Sequence, residues 1–207
     1  MQIRSKWIKS EPMLEEHKNE TPRAIALKPR IEIALNKISH EVTKLAYVYT
    51  ELGTIEMKIR GSSNSISVNF DISGYGSSNH AELFQSRRRG MTALMSMISL
   101  ETVACRLQTA KNINEVAFAL TPTIAVMKSI RSALIRYVSS KQEEIAEICD
   151  ILELILMDSC QLSNGLIDFK EANQEAILLL NDAHMKAEQK MREEFPNLTR
   201  LFGTRVT

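Results

Sequence analysis

Residues 29–60 read PRIEIALNKISHEVTKLAYVYTELGTIEMKIR. Apolar side chains recur in this stretch at spacings that alternate between three and four residues, which is the seam of a coiled coil. They are Leu35, Ile38, Val42, Leu45, Tyr49 and Leu52. Proline at position 29 suits the first turn of a helix. We therefore predict one helix over 29–60, about 48 Å long at 1.5 Å per residue, which is far longer than most globular helices.

The following residues predict a reversal of the chain. Residues 61–78 are rich in Ser, Asn and Gly, which favours a loop. Within the loop, apolar residues alternate with polar ones and suggest a short strand, which would need a partner for its backbone groups. These residues are Ile66, Val68, Phe70 and Ile72. We favour a mobile or weakly ordered tip. A second helix, capped by Asn79, is predicted over 79–111, and its short connection to the first predicts an antiparallel hairpin.

Shorter helices are predicted after the hairpin. A short helix over 112–120 is followed by Thr121 and Pro122, which suit the cap and first turn of a new helix ending near residue 137. An acidic helix over 141–160 and a last helix over 168–194, stopped by Pro196, complete the chain. The sequence thus predicts an all-α fold with three regions: an N-terminal arm (1–27), a helical core (28–137) and C-terminal helices with a tail (138–207).

Charge is distributed unevenly along the chain. Residues 1–137 hold 19 Lys and Arg against 12 Asp and Glu, whereas residues 138–207 hold 7 against 13. A basic front and an acidic back can bind each other, and the front can meet an anionic surface. On charge alone, solvated helix faces explain the pattern equally well.

The first residues, MQIRSKWIKSEP, have no apolar core of a signal peptide, and no stretch approaches the roughly 20 apolar residues of a membrane span. Trp7 lies among basic residues, as in a short amphipathic segment on anionic lipid; packing of the arm onto the core is the equal alternative. Cys105, Cys149 and Cys160 are widely spaced within helical patterns. They indicate buried thiols in a reducing cytosol.

Motifs for catalysis or cofactor binding are missing from the sequence. The four histidines are scattered, none with a second ligand at helical metal spacing, and no nucleotide-binding, zinc or nucleophile motif is found. We expect no enzymatic activity, no cofactor and no metal. Arg87, Arg88 and Arg89 form a compact basic cluster that suits phosphates, but without aromatic interleaving it does not predict nucleic-acid binding.

Two stretches carry a resemblance to a known family. KPRIEIALNKISHEVTKL (28–45) and LETVACRLQTAKNINEVAFALTPTIAVMKSIRSAL (100–134) resemble the archaeal ESCRT-III-like cell-division proteins, the CdvB family. The resemblance covers roughly residues 28–160 and includes the order of the helices. Its most telling part is the pattern LxPxxxxxKxxRSxL, formed by Leu120, Pro122, Lys128, Arg131, Ser132 and Leu134.

The resemblance implies a fold and a function. ESCRT-III proteins form a long helical hairpin with shorter C-terminal helices, polymerise on membranes and constrict membrane necks, in archaea during cytokinesis. Their acidic C-terminal helices fold back on the hairpin and hold the monomer closed. By position, the lipid-facing residues would be Lys28, Arg30, Lys37 and Lys44, with Trp7 of the arm. Contacts between subunits would involve Ile124, Met127, Ile130 and Leu134, for which packing within the monomer core is the favoured alternative.

The family also implies partners and a location. They are further copies of the chain, paralogous subunits, anionic lipid and the AAA ATPase CdvC, on the cytoplasmic face of the cell membrane at the division site. Two features depart from the family pattern. The insert at 61–78 is unlike its charged hairpin tip, and the C-terminus lacks a proline-rich stretch and a winged-helix extension. Only Leu198, Arg200 and Leu201 echo its ATPase-docking motif.

The leading hypothesis is therefore a filament-forming protein that remodels membranes in archaeal cell division. The alternative is a soluble coiled-coil adaptor whose long helices bind a protein partner, with a defined small oligomer and no response to lipid. An enzyme ranks third because it would need a catalytic group that the sequence does not show.

Overall fold

A computed structural model describes residues 22–65, 76–137, 142–162 and 169–196. These residues form five helices and no strand. The helices are α1 (Pro22–Ser65), α2 (Gly76–Thr109), α3 (Ile113–Tyr137), α4 (Gln142–Leu162) and α5 (Phe169–Glu194). The predicted fold class is confirmed, since the chain is all-α with a long hairpin of α1 and α2 and shorter helices after it, as in an ESCRT-III-like fold.

The first four helices close a ring of contacts. Helix α1 packs on α2, α2 on α3, α3 on α4, and α4 returns to α1. This is the arrangement of a four-helix bundle. Helix α5 lies outside the ring and packs on α2 and α3. Because α4 closes the ring against α1, the acidic part of the chain contacts the basic first helix directly.

The seam of α1 follows the prediction at four of the six predicted positions. Ile38, Leu45, Tyr49 and Leu52 are buried as predicted, whereas Leu35 and Val42 are only partly buried. The full set of buried seam positions is Leu27, Ile31, Ala34, Ile38, Glu41, Leu45, Tyr49, Leu52 and Glu56. Small and acidic residues thus occupy some positions of the seam. A search for large apolar residues does not detect those positions.

Both ends of the hairpin helices differ from the prediction. Helix α1 begins at Pro22, so that Pro29 lies inside it rather than in its first turn. The helix continues through Pro29 because Leu27 and Ile31, on either side, are both buried against the bundle. At the other end, α1 extends to Ser65 and α2 begins at Gly76, before Asn79. Residues 61–65 and 76–78 thus belong to helices and not to the predicted loop, while the predicted strand residues and the predicted mobile tip lie outside the described residues.

Helix α3 replaces the two short helices predicted over 112–137. It runs without interruption through Pro122. The hydroxyl of Thr121 donates to the carbonyl oxygen of Ala117 at 2.9 Å, and that of Thr123 donates to Ala119 at 2.7 Å. Thr121 therefore acts within a helix and not as an N-cap. A proline inside a helix removes one backbone hydrogen bond, but Leu120, Ile124 and Met127 around it are buried and hold the two halves in line.

A reciprocal cap fixes the start of α3. The backbone N–H of Glu115 donates to the Asn112 side-chain oxygen at 2.9 Å, while the Glu115 carboxylate accepts from the Lys111 backbone N–H at 2.8 Å. This resembles a capping box, except that the carboxylate accepts from the backbone N–H of Lys111, the residue before the N-cap, rather than from that of Asn112. Contrary to the expectation from the sequence, the helix over Ile113–Arg136 is long and apolar enough to cross a membrane, yet half of that stretch is buried against the other helices. Such burial is typical of a core helix in a bundle.

Helices α1 and α2 approach each other closely at Gly90. A Cβ at this position would overlap the buried side chain of Leu52, whose Cγ would lie 2.7 Å away. Overpacking of this kind costs roughly 1–3 kcal/mol, which exceeds the gain of about 1 kcal/mol in helix propensity from glycine to alanine. We expect Gly90→Ala to lower the free energy of unfolding, measured by urea denaturation.

Gly53 provides the matched control for this prediction. It also lies inside a hairpin helix, but a Cβ there would meet nothing within 4 Å. Gly53→Ala is therefore expected to raise the free energy of unfolding by roughly 0.5–1 kcal/mol. If both substitutions stabilise the protein equally, the close contact between Gly90 and Leu52 is not a determinant of hairpin packing.

Candidate functional site

The interface between α1 and α4 brings together three basic and three acidic side chains. Lys37 Nζ lies 2.7 Å from Glu147 Oε1, and Lys44 Nζ lies 2.9 Å from Glu144 Oε1. Arg30 forms a third ion pair, with Asp158. We call these three contacts the α1–α4 ion-pair row. A further pair, between Lys128 of α3 and Glu153 at 2.8 Å, joins α4 to its other neighbour.

Helical periodicity explains why the row forms. Arg30, Lys37 and Lys44 repeat every seven residues, so they lie on one side of α1. Each directly precedes a buried seam residue, and each partner on α4 likewise directly precedes a buried residue. Those residues are Ile31, Ile38 and Leu45 on α1, and Ile145, Ile148 and Ser159 on α4. The charges therefore flank the apolar contact on both helices, where antiparallel packing aligns them.

The row is a modest and salt-sensitive restraint. The Lys44 and Glu144 side chains are 28% and 36% exposed, and the other two pairs are more open to water. Exposed ion pairs of this kind contribute about 0–1 kcal/mol each, and salt screens them. The hydrogen bond to Glu144 raises the pKa of Lys44, so this ammonium stays charged under ordinary conditions.

The solvent-facing side of α1 has a different character. Ile33, His40 and Tyr47 lie there, again at seven-residue spacing, and Tyr47 is 72% exposed.

Three of the four cations that the sequence assigns to a lipid-facing role, Arg30, Lys37 and Lys44, instead contact α4 in this arrangement. Lys28 is partly buried on the same helix. Trp7 lies outside the described residues.

The residues predicted to contact other subunits lie in the core of the monomer. Met127, Ile130 and Leu134 are completely buried and Ile124 is 8% exposed. All four belong to the cluster that α3 forms with the rest of the bundle. In this arrangement they pack within the chain, as the alternative interpretation predicts, so any contact between subunits would require the helices to separate.

The end of α5 contacts the middle of α1, which the sequence does not predict. The Tyr49 hydroxyl donates to Glu194 Oε2 at 2.9 Å, and the Phe195 ring packs edge-on against the Tyr49 ring with centroids 5.4 Å apart. Burial, and then the hydrogen bond to Glu194, raise the pKa of Tyr49. These contacts hold the last described turn against the hairpin. The predicted ATPase-docking residues Leu198, Arg200 and Leu201 follow it and lie outside the described residues.

The three cysteines differ in environment, which corrects the prediction that all are buried. Cys149 is buried, and burial raises its pKa to about 11. Cys160 is partly buried, whereas Cys105 is exposed on α2. Cys105 follows the apolar pattern of α2 but falls outside the side that contacts other helices. Across the described ranges, no three His, Cys, Asp or Glu side chains are grouped as a metal site requires.

Comparison with known proteins finds similarity to a curated cell-division protein. The chain is 27% identical over 117 residues to cell division protein B1 of Sulfolobus acidocaldarius. The match covers 56% of this chain and 55% of that protein, so the chain aligns with about half the length of this relative. No family model and no solved structure matches the chain. The chain is therefore similar, at low identity, to a protein named for cell division.

Proposed function

We propose that this protein acts in archaeal cell division as a membrane-associated, filament-forming protein that constricts or severs membrane necks. The observation that carries the proposal is the α1–α4 ion-pair row, in which the cations expected to bind lipid are held by carboxylates of α4. The similarity to cell division protein B1 supports the biological process. The proposed activity requires no catalytic group.

The row gives α1 two alternative anionic partners. In the closed arrangement Arg30, Lys37 and Lys44 are bound to α4, and if α4 moves away they are available to lipid phosphates. Each Lys or Arg near an anionic membrane is worth about 1 kcal/mol, which is comparable to or larger than an exposed ion pair. A membrane can therefore compete with α4 for these side chains, and binding would favour the open arrangement.

Opening would also supply apolar surface for assembly. Helix α3 packs on α4 and carries completely buried apolar residues such as Ile130 and Leu134, so separation of α4 from α3 would uncover apolar surface of α3. Such surface is poorly tolerated in water and favours contact with another subunit. The proposed partners are further copies of this chain or paralogous subunits, on the cytoplasmic face of the membrane. An AAA ATPase of the CdvC type, docking on Leu198, Arg200 and Leu201, is the proposed remodelling partner.

One observation favours the alternative function of a coiled-coil adaptor. The solvent-facing side of α1 bears large apolar side chains, with Ile33 50%, Tyr47 72% and Met57 66% exposed. Exposed apolar residues along one helix are typical of a surface that binds a partner helix. An adaptor would bind its partner in the closed arrangement and would not respond to lipid.

Flotation with anionic vesicles, combined with electron microscopy, tests the proposal. We expect the protein to float with the vesicles and to form filaments on them. In the variant Arg30→Gln, Lys37→Gln, Lys44→Gln, vesicle affinity should fall roughly tenfold, because three membrane contacts of about 1 kcal/mol each are lost while about 1.5 kcal/mol of restraint from the row is lost with them.

The matched control removes three exposed cations elsewhere, in Lys111→Gln, Arg136→Gln, Lys186→Gln. It has the same net charge as the first variant, so general attraction to the membrane falls equally in both. The membrane proposal fails if the unaltered protein neither floats nor forms filaments at any salt concentration. A stable small oligomer indifferent to vesicles would identify the adaptor instead.

A further inference from the structure

A cleft between α2 and α5 plays no part in the proposed function. It lies near the start of α2 and the end of α5 and encloses about 320 Å³. This volume is at the lower end of the range of about 300–1,000 Å³ found for small-molecule sites. The same region contains part of the Arg87–Arg89 cluster, whose basic character suits phosphate groups.

Arginines from both helices line the cleft. Arg87 and Arg88 belong to α2 and Arg192 to α5. Glu188 is the one carboxylate among the described lining residues, and its Oε1 lies 3.6 Å from His184 Nε2. Guanidinium groups are planar and weakly hydrated, and they bind phosphate oxygens through two parallel hydrogen bonds. The charge of the cleft therefore favours an anion, and its donors favour phosphate.

Apolar side chains give the cleft a second character. Phe84, Met91 and Met191 line it beside the arginines, and Met191 is buried. The Arg88 guanidinium lies over the Phe84 ring, 4.4 Å from its centroid. Stacking of this kind orients the guanidinium. A ligand with both a phosphate group and an apolar portion matches this lining better than a bare inorganic ion does.

We propose that this cleft binds a phosphate-bearing small molecule. Its phosphate contacts Arg87, Arg88 and Arg192, and its organic portion packs on Phe84 and the two methionines. Because the arginines come from two helices, the ligand joins α5 to α2 and stabilises the arrangement in which these helices are packed. The phosphate belongs either to a soluble ester or to a lipid headgroup. This proposal does not depend on filament formation.

Titration of the full chain with inorganic pyrophosphate tests the site. Ionic strength is held constant with sodium chloride, and sodium sulfate serves as the control anion. We expect saturable binding by calorimetry and a rise in melting temperature, both larger than with sulfate. In Arg88→Gln, Arg192→Gln, which alters two exposed side chains, the affinity should fall at least tenfold while helicity is unchanged.

The control variant Lys111→Gln, Arg136→Gln has the same net charge and should bind pyrophosphate as the unaltered protein does. A second experiment uses phosphatidylcholine vesicles containing phosphatidic acid. If pyrophosphate displaces the unaltered protein from these vesicles but does not displace Arg88→Gln, Arg192→Gln, the site exists and its phosphate comes from a lipid headgroup. Pyrophosphate binding without displacement supports it with a soluble ester. The proposal is overturned if pyrophosphate binds no better than sulfate, or if both double variants bind it equally.

Discussion

Neutralising three carboxylates of α4 is expected to raise the affinity for anionic vesicles roughly tenfold. The variant is Glu144→Gln, Glu147→Gln, Asp158→Asn, which removes every acceptor of the α1–α4 ion-pair row. Three exposed pairs at about 0.5 kcal/mol each contribute about 1.5 kcal/mol to the closed arrangement, and 1.4 kcal/mol corresponds to a tenfold change in affinity. Flotation or vesicle co-sedimentation at low salt measures the affinity of the variant relative to that of the unaltered protein.

The control must separate release of the cations from a simple change in net charge. Glu143→Gln, Asp150→Asn, Glu193→Gln removes the same number of negative charges from exposed positions, and none of these residues belongs to the row. We expect a smaller increase in affinity from this control. Equal increases in both variants would show that the row does not restrain α1 and that only overall charge matters.

Salt should affect the two variants differently. In the unaltered protein, added salt weakens the row and also weakens attraction to the membrane, so the two effects partly cancel. In the neutralised α4 variant only the second effect remains, and affinity should fall more steeply with salt. The charges of the row thus act as a reversible restraint whose strength is set by the surrounding medium.

The sequence predicts the hairpin well because its signal is repeated many times. The apolar spacing continues from Ile38 to Leu52, so one position that departs from it does not remove the signal for a helix. The seam register was harder to predict because Glu41 and Glu56 are 1% and 4% exposed despite their charge. The Lys44 ammonium lies 3.8 Å from the Glu41 carboxylate. A search based on hydrophobicity passes over such positions, and only the packing of the helices reveals them.

Single residues near helix ends gave less reliable predictions. Thr121 and Pro122 form a strong local signal for a new helix, yet the buried residues on both sides continue one stripe through α3. Tertiary packing outweighs the local preference there. Local composition also predicted a loop that was too long, since the first residues after position 60 continue α1. Neither outcome follows from propensity alone.

The partners of the charged residues could not be predicted individually. The sequence shows a basic front and an acidic back, and the structure confirms that α1 and α4 meet. Lys44 and Glu144 are 100 residues apart in the chain, so predicting their contact requires the register of α1 against α4. That register depends on where α2 and α3 position α4, and the charge pattern gives no information on this position. The arginine-lined cleft likewise requires the position of α5 on α2.

Removing buried volume from α3 is expected to have the largest effect on stability. Ile130 is completely buried within the bundle, and truncating such a residue to alanine costs about 2–5 kcal/mol. For a protein of this size each kcal/mol corresponds to roughly 2–4 °C in melting temperature. Ile130→Ala should therefore lower the melting temperature by roughly 5–15 °C, measured by circular dichroism in the absence of lipid.

Ile135 provides the control on the same helix, since its side chain is 43% exposed. Ile135→Ala should change the free energy of unfolding by no more than about 0.5 kcal/mol. The pair also tests the role of α3 in assembly. The milder substitution Ile130→Val costs about 1 kcal/mol of monomer stability and therefore makes opening easier. If Ile130 nevertheless contacts another subunit after opening, Ile130→Val should weaken filaments more than Ile135→Ala does. If filaments form more readily with Ile130→Val, Ile130 contributes only to packing in the closed monomer and does not contact another subunit.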